Sequence, residues 1–156
     1  MNASPDPSAI DRRLEQEHVA FRAAVREIQA ELDRRRQSRD LAGCGETLLA
    51  QLDQFGARLK THFEYEESGW ARAEASADLP PATRRWIDAL TCQHDDFRVR
   101  IERLVSALSS SLLTTSSLPA TFEGDLSSLL ADLTQHEFSE ARLFQRSMFE
   151  ELGGFD

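Results

Sequence analysis

Apolar residues recur every three or four positions along four long segments of the chain, as on helices that each bury one face. These segments span residues 8–37, 46–75, 81–108 and 119–152. The stretches between them are rich in Gly, Ser, Asp and Pro, which commonly end helices. No segment shows the alternation of a half-buried strand. The pattern predicts an all-α fold, an up-down-up-down antiparallel four-helix bundle formed as a single domain by residues 1–156.

Two of the predicted connections carry more detailed expectations. Residues 38–45 place a glycine on each side of Cys44, so we expect that cysteine to lie in a loop. Ser and Thr dominate residues 109–118, which we expect to form a surface loop between the third and fourth helices. Cys44 and Cys92 are far apart and in unlike settings, and two cysteines do not define a disulfide framework. Both are therefore expected to be free thiols.

Six polar side chains interrupt the four apolar stripes, and all four histidines of the sequence are among them. Two segments carry the same H-x-x-x-E pair, which places a histidine and a glutamate one turn apart on one helix face. Counting at ~1.5 Å per residue from the ends of antiparallel helices brings all six to within about two turns of one level. The six residues are His18, His62, Glu66, His94, His136 and Glu140.

Such a cluster in an apolar core needs a compensating positive charge, because a buried ionised carboxylate is costly unless it is paired or protonated. Six ligands exceed the four of a tetrahedral zinc and suit two metal ions, each with two imidazoles and with both carboxylates as bridges. Imidazole binds iron, zinc and copper, so the residues alone leave the metal open. A coordination position open to apolar surroundings favours a small ligand such as dioxygen, nitric oxide or peroxide.

Residues next to these six offer further candidates. Tyr65 could donate a hydrogen bond to a residue of the centre or bind the metal through its phenolate. Asp132, one turn before His136, could orient the ring of that histidine. Packing of the tyrosine and solvation of the aspartate are the alternatives. Four apolar side chains would line a ligand pocket or belong to the plain core, namely Leu14, Phe21, Leu90 and Phe97. Five acidic residues point off the stripes and are expected on a solvated face, namely Glu64, Glu67, Asp95, Asp96 and Glu137.

The order H…H-x-x-x-E…H…H-x-x-x-E, from His18 to Glu140, resembles the hemerythrin-like (HHE cation-binding) family in its bacterial form with four histidines and two glutamates. The resemblance implies a non-haem di-iron centre with an oxo or hydroxo bridge, four terminal histidines and two bridging glutamates. Zinc or another divalent metal would be a substitute. Leu90 stands where oxygen-carrying hemerythrins have a further histidine. Their last bridging residue is an aspartate five residues after its histidine, whereas here it is Glu140, four residues after His136. The missing histidine argues against stable reversible oxygen carriage.

We therefore expect a protein that binds dioxygen, nitric oxide or peroxide at a di-iron centre for sensing or stress defence. The first alternative is an enzyme that decomposes peroxide or oxidises iron, with weak peroxidase- or catalase-like activity. It ranks lower because no stripe residue beyond the six ligands offers an acid or base. A labile iron store or donor, related to the repair of iron centres, is the second alternative. A metal-free helical scaffold is the third.

The composition excludes several other classes of partner. A formal net charge of −9 argues against binding to nucleic acid or to an anionic membrane surface. No apolar run approaches the ~20 residues that span a bilayer, and the first residues lack the apolar core of a signal peptide. We therefore expect a cytoplasmic protein without a nucleic-acid or membrane partner.

Overall fold

The chain forms four long helices, as the apolar periodicity predicts. The computed structural model describes residues 7–37, 41–76, 79–114 and 118–152, and the side chains of 16–37, 45–71, 74–75, 79–114 and 118–143. The helices are α1 (Pro7–Gln37), α2 (Leu41–Ser76), α3 (Pro81–Thr114) and α4 (Phe122–Leu152). No strand occurs in these described ranges, so the predicted all-α class is confirmed. Over the same residues, none of the helices has an apolar stretch that could cross a membrane.

The helices pack in chain order and form the predicted bundle. α1 lies against α2, α2 against α3 and α3 against α4, while α4 returns to lie beside α1. The α1–α4 interface is much the most thinly packed of the four. Among the described side chains, two arginine–glutamate ion pairs cross it, Arg36 with Glu123 at 3.1 Å and Arg22 with Glu137 at 3.7 Å.

The predicted stripes form the core, which is divided into two apolar clusters. The larger cluster includes Leu52, Phe55, Leu104 and Leu129, each at most 5% exposed. The smaller cluster is built on Ile87, Leu90 and Leu143, with Trp70, Leu79 and Trp86 packed against it. Along α3 and α4 the polar stripe residues lie between the two clusters, and along α2 Glu66 lies between Phe63 of the larger cluster and Trp70 of the smaller one. Apolar packing therefore encloses a polar layer.

The connection predicted at residues 38–45 is shorter than expected, because α2 begins at Leu41. The expectation that Cys44 lies in a loop is wrong, since its backbone is helical; its side chain lies outside the described residues. Gly45 explains how the helix extends here. A Cβ at this position would lie 2.5 Å from Leu112 Cδ2, so the glycine allows α3 to approach closely. Packing between helices outweighs the low helix propensity of the glycines.

The surface loop predicted at residues 109–118 is also wrong over its first half. α3 continues to Thr114, whose hydroxyl donates to the carbonyl of Ser110 at 2.9 Å. Leu112 holds this last part of the helix by packing against the larger core cluster. α4 begins three residues later than predicted, because Pro119 belongs to a turn in which its carbonyl accepts the N–H of Phe122 at 3.0 Å.

Replacing Gly56 in the middle of α2 should stabilise the bundle. A Cβ there would lie 3.7 Å from Ile101, an ordinary van der Waals distance, so Gly56→Ala adds helix propensity without a clash. We expect the free energy of unfolding to rise by about 0.5–1 kcal/mol, measured by urea denaturation. Gly69→Ala is the matched control, since its Cβ would contact nothing within 4 Å. A loss of stability in Gly56→Ala alone would mean that α2 and α3 are closer than described.

Candidate metal centre

The six polar residues predicted from the stripes converge on one buried layer. Their ligand atoms form two groups of four, and within each group all atoms lie within 4.8 Å of one another. Glu66 from α2 and Glu140 from α4 belong to both groups. One group is completed by the histidines of α1 and α2, His18 and His62, and the other by those of α3 and α4, His94 and His136. These atoms define two adjacent groups that could each hold a cation and that share both carboxylates.

The two groups differ in their access to solvent. The side chains of His94 and His136 are 0% and 2% exposed, whereas those of His62 and His18 are 10% and 21% exposed. The difference follows from the packing, because His18 lies on α1 beside the thin α1–α4 interface. The group nearer α1 is therefore the one that solvent and small solutes reach first.

Outer hydrogen bonds fix the orientation of three imidazoles. In each case the Nδ1–H of the ring can donate to an oxygen on a neighbouring helix, and in a neutral ring this leaves the Nε2 lone pair facing the centre. The donor–acceptor pairs are His62 with Glu17 at 3.0 Å, His94 with Glu67 at 2.9 Å and His136 with Gln93 at 2.7 Å. This tautomer is the one that a metal-binding histidine requires.

The inward atoms are crowded acceptors with too few hydrogens among them. His94 Nε2 lies 2.9 Å from His136 Nε2, and the two lie 3.4 Å and 2.9 Å from Glu140 Oε1. When both Nδ1 atoms carry protons, neutral rings offer only lone pairs to these contacts. In addition, His18 Nε2, Glu66 Oε2 and Glu140 Oε2 are buried without a hydrogen-bond partner. Orphaned nitrogen and oxygen acceptors are the donor set that a metal cation satisfies, so the residues present fit such ions.

The comparison with known families agrees with this geometry. The family model of the hemerythrin HHE cation-binding domain matches residues 9–146. The chain belongs to this hemerythrin family. The matched range contains all six residues of the centre, so the resemblance seen in the sequence is confirmed. Neither the curated proteins nor the solved structures compared with the chain gave a match.

Without metal, protons balance the charge at the centre of this hemerythrin domain. Burial lowers the pKa of His62, but hydrogen bonds to Glu66 and Glu17 and the negative charges of Glu66 and Glu140 outweigh it and raise that pKa to about 9. Burial alone would raise the pKa of Glu140, but hydrogen bonds with His136 and His94, which donate when their Nε2 atoms carry protons, hold it well below its usual range. The folded metal-free protein therefore favours charged His62 and charged Glu140.

The acidic residues around the hemerythrin centre divide into two kinds. Glu64, Asp95 and Asp96 are exposed, as predicted. The prediction is wrong for Glu67 and Glu137, which are half-buried. Each directly follows a residue of the centre, and the rotation of about 100° per residue turns these two side chains toward an adjacent helix, where they contact Arg98 and Arg22. Glu67 accepts a hydrogen bond from Arg98 at 2.8 Å as well as one from the His94 ring.

The residue predicted to orient His136 is replaced by another. Asp132 pairs with Arg100 at 2.7 Å and its side chain is 53% exposed, which supports the solvated alternative. Gln93 on α3 is bonded to His136 instead. Neither Gln93 nor Glu17 lies on a stripe, but each directly precedes a histidine of the centre. A polar residue directly before a histidine was therefore the sequence feature that could have indicated these outer partners, and apolar periodicity does not detect it.

Aromatic rings enclose the more deeply buried group. Phe63 stacks on the ring of His94 at 3.8 Å with an interplanar angle of 13°, and Trp70 lies nearly parallel to it at 5.3 Å. Neither aromatic was predicted, since both lie off the stripe that was traced through α2. Of the predicted lining residues, Phe97 contacts His136 edge-on at 5.2 Å. Leu90 is buried in the smaller core cluster, and Phe21 packs against Phe55. The side chain of Leu14 lies outside the described residues.

The stability of the metal-free protein should fall as the pH rises from 6.5 toward 9. The pKa of His62 is about 9 in the folded chain against an ordinary value of 6.5, so its proton stabilises the fold fully below pH 6.5 and that contribution is lost as the pH rises through 9. We expect a loss of up to about 3 kcal/mol, measured by urea unfolding after chelation. His62→Gln should flatten this dependence. Wild-type stability that stays constant across the interval would contradict the assigned charge on His62.

Proposed function

We propose that the centre holds two iron ions, with Glu66 and Glu140 bridging them. His18 and His62 would bind one iron, and His94 and His136 the other. The observation that carries this assignment is that two four-atom groups share both carboxylates, since a single ion would not need two overlapping sets of ligands. The buried, unpartnered oxygens of the two glutamates support it, because bridging would satisfy both oxygens of each carboxylate.

Iron is favoured over a structural zinc by the number and kind of ligands. Structural zinc takes four ligands in a closed tetrahedron, and thiolates are common among them. Each group here offers two imidazoles and two shared carboxylate oxygens, a histidine–carboxylate set typical of non-haem iron with open positions. When bound, the iron pair would supply redox chemistry and a coordination position for a small exogenous ligand. The protein side chains supply orientation and exclude water.

The surroundings favour a ligand of diatomic or peroxide size. Phe63, Trp70 and Phe97 pack around the His94 and His136 rings and leave little room beside the deeper group. The group nearer α1 is more exposed, which provides a short route from solvent past His18. We therefore propose that the protein binds dioxygen, nitric oxide or peroxide, in a sensing or stress-defence role.

The outer contacts favour binding over rapid turnover. The carboxylates of Glu17 and Glu67 accept ring N–H groups, and Arg98 also engages Glu67. Groups held in this way orient ligands and are poorly placed to exchange protons with a substrate. For this reason the peroxide-decomposing and iron-oxidising alternatives rank below ligand binding.

Metal loading should depend on the inward glutamates and not on an exposed one nearby. Glu66→Ala and Glu140→Ala each remove a ligand shared by both groups, so we expect bound iron to fall from about two per chain to one or fewer. Glu64→Ala is the control, because Glu64 is exposed on the same helix. Elemental analysis of each purified variant provides the measurement. Similar iron content in all three variants would contradict the proposed bridges.

The iron-loaded protein should respond optically to its small ligands. We expect near-ultraviolet and visible absorption bands that change on addition of dioxygen, nitric oxide or peroxide, because these ligands would occupy the open position. His18→Ala should alter the response, since it removes a ligand from the more exposed group. Spectra that ignore all three ligands would exclude the binding role while leaving metal binding intact.

A further inference from the structure

The outer hydrogen bonds around the centre run in one direction about the bundle. A residue on α1 accepts the ring N–H of the histidine on α2. In the same way, a residue on α2 accepts the ring N–H of the histidine on α3, and a residue on α3 accepts that of the histidine on α4. The acceptors, in that order, are Glu17, Glu67 and Gln93. Each of these helices therefore supports the histidine of the next helix, and among the described side chains only the step from α4 back to α1 has no such hydrogen bond.

Each acceptor is also the immediate sequence neighbour of a residue in the centre. A side chain one position along a helix is rotated by about 100°, so a neighbour of an inward residue can face the adjacent helix. The neighbouring pairs are Glu17 with His18, Glu67 with Glu66, and Gln93 with His94. The same construction on α4 would use a neighbour of His136 or Glu140 that faces α1.

Glu137 meets this requirement on α4. It directly follows His136, and its side chain is 12% exposed at the α1–α4 interface. Its Oε2 lies 3.7 Å from Arg22 Nη1 on α1, while its Oε1 is buried without a hydrogen-bond partner. The carboxylate also lies close enough to His18 for their charges to interact. An unpartnered acceptor therefore lies at the missing step.

His18 has the complementary requirement. The Nδ1 atoms of the other three histidines are bonded to an acceptor, but no side chain within the described part of the structure is bonded to that of His18. If Nε2 of His18 binds a metal, the ring proton must be on Nδ1 and needs an acceptor. An Nδ1–H without a described side-chain acceptor and a buried carboxylate oxygen without a donor then occur on facing helices.

We propose that Glu137 is the outer partner of His18, its Oε1 accepting the Nδ1–H of His18 when that ring binds a metal. This contact would close a ring of four outer hydrogen bonds around the bundle. The proposal rests on the proposed function, because it takes His18 as a ligand. Glu137 is thus a positioning residue, which acts on the metal through His18. The contact between Glu137 and His18 would also link α1 to α4 at the most thinly packed of the helix interfaces.

Histidine labelling tests the contact directly, since the chain contains only four histidines. In zinc-loaded protein labelled with ¹⁵N-histidine, we expect four Nδ1–H signals, of which His18→Ala removes one and so assigns it. Glu137→Ala should speed hydrogen exchange of that signal about 10-fold or more and leave the other three unchanged, because a buried acceptor protects its donor. Glu137→Gln should retain protection, since its amide oxygen still accepts.

Arg22→Ala separates a hydrogen bond to His18 from a simple ion pair across the interface. It removes the contact between Arg22 and Glu137 but keeps the carboxylate, so the His18 signal should stay protected. Equal acceleration in Arg22→Ala and Glu137→Ala, or no acceleration in either, would overturn the assignment. Wild-type protein with fewer than four zinc-bound rings would instead overturn the proposed metal centre, and the assignment with it.

Metal affinity gives a second readout with a matched control. Loss of an outer partner typically weakens metal binding about 10–100-fold, so Glu137→Ala should weaken one of two binding steps in a zinc titration. Glu67→Ala, which removes the outer partner of His94, should weaken the other step and leave the His18 signal protected. Two steps that Glu137→Ala leaves unchanged would contradict a positioning role.

Discussion

Electrostatic repulsion among buried acceptors is the constraint on which the rest of this structure depends. Two carboxylates and four imidazoles share one layer between two apolar clusters, and atoms of two rings approach to 2.9 Å. A core of this kind is stable only when protons or metal ions supply positive charge. Protons on groups such as His62 can do so in the metal-free chain, and metal ions would do so with orphaned atoms such as Glu140 Oε2 satisfied as well.

The surrounding protein is arranged to hold these acceptors in one geometry. Helices α1, α2 and α3 each supply an oxygen that orients the histidine of the next helix, and the acceptor on α2 is itself held by Arg98. Apolar packing then sets the access. Aromatic rings close the group on α3 and α4, while the thin α1–α4 interface leaves the other group nearer to solvent. One bundle thereby combines an enclosed group of metal-capable side chains with a second group that small solutes can approach.

Membership of the hemerythrin family and the geometry of the centre support each other but establish different things. The family match covers residues 9–146 and establishes the kind of domain. The contacts establish that this particular chain, with Leu90 buried in apolar packing, offers two balanced groups of two histidines each. An equal division of imidazoles between the two groups distinguishes this cluster from one in which one group has an extra histidine.

The sequence by itself determined the four helices and the six residues of the centre. Helical periodicity depends only on the order of apolar and polar residues, and residues such as His18 and Glu140 stood out because they broke an apolar stripe. Tertiary structure decided what periodicity cannot describe. Leu112 packing beside Gly45 extended two helices into predicted loops, because contacts between distant segments outweigh local propensity. The outer partners were likewise fixed only when neighbouring helices met, since a residue beside a stripe, such as Glu67, faces either solvent or another helix according to the packing.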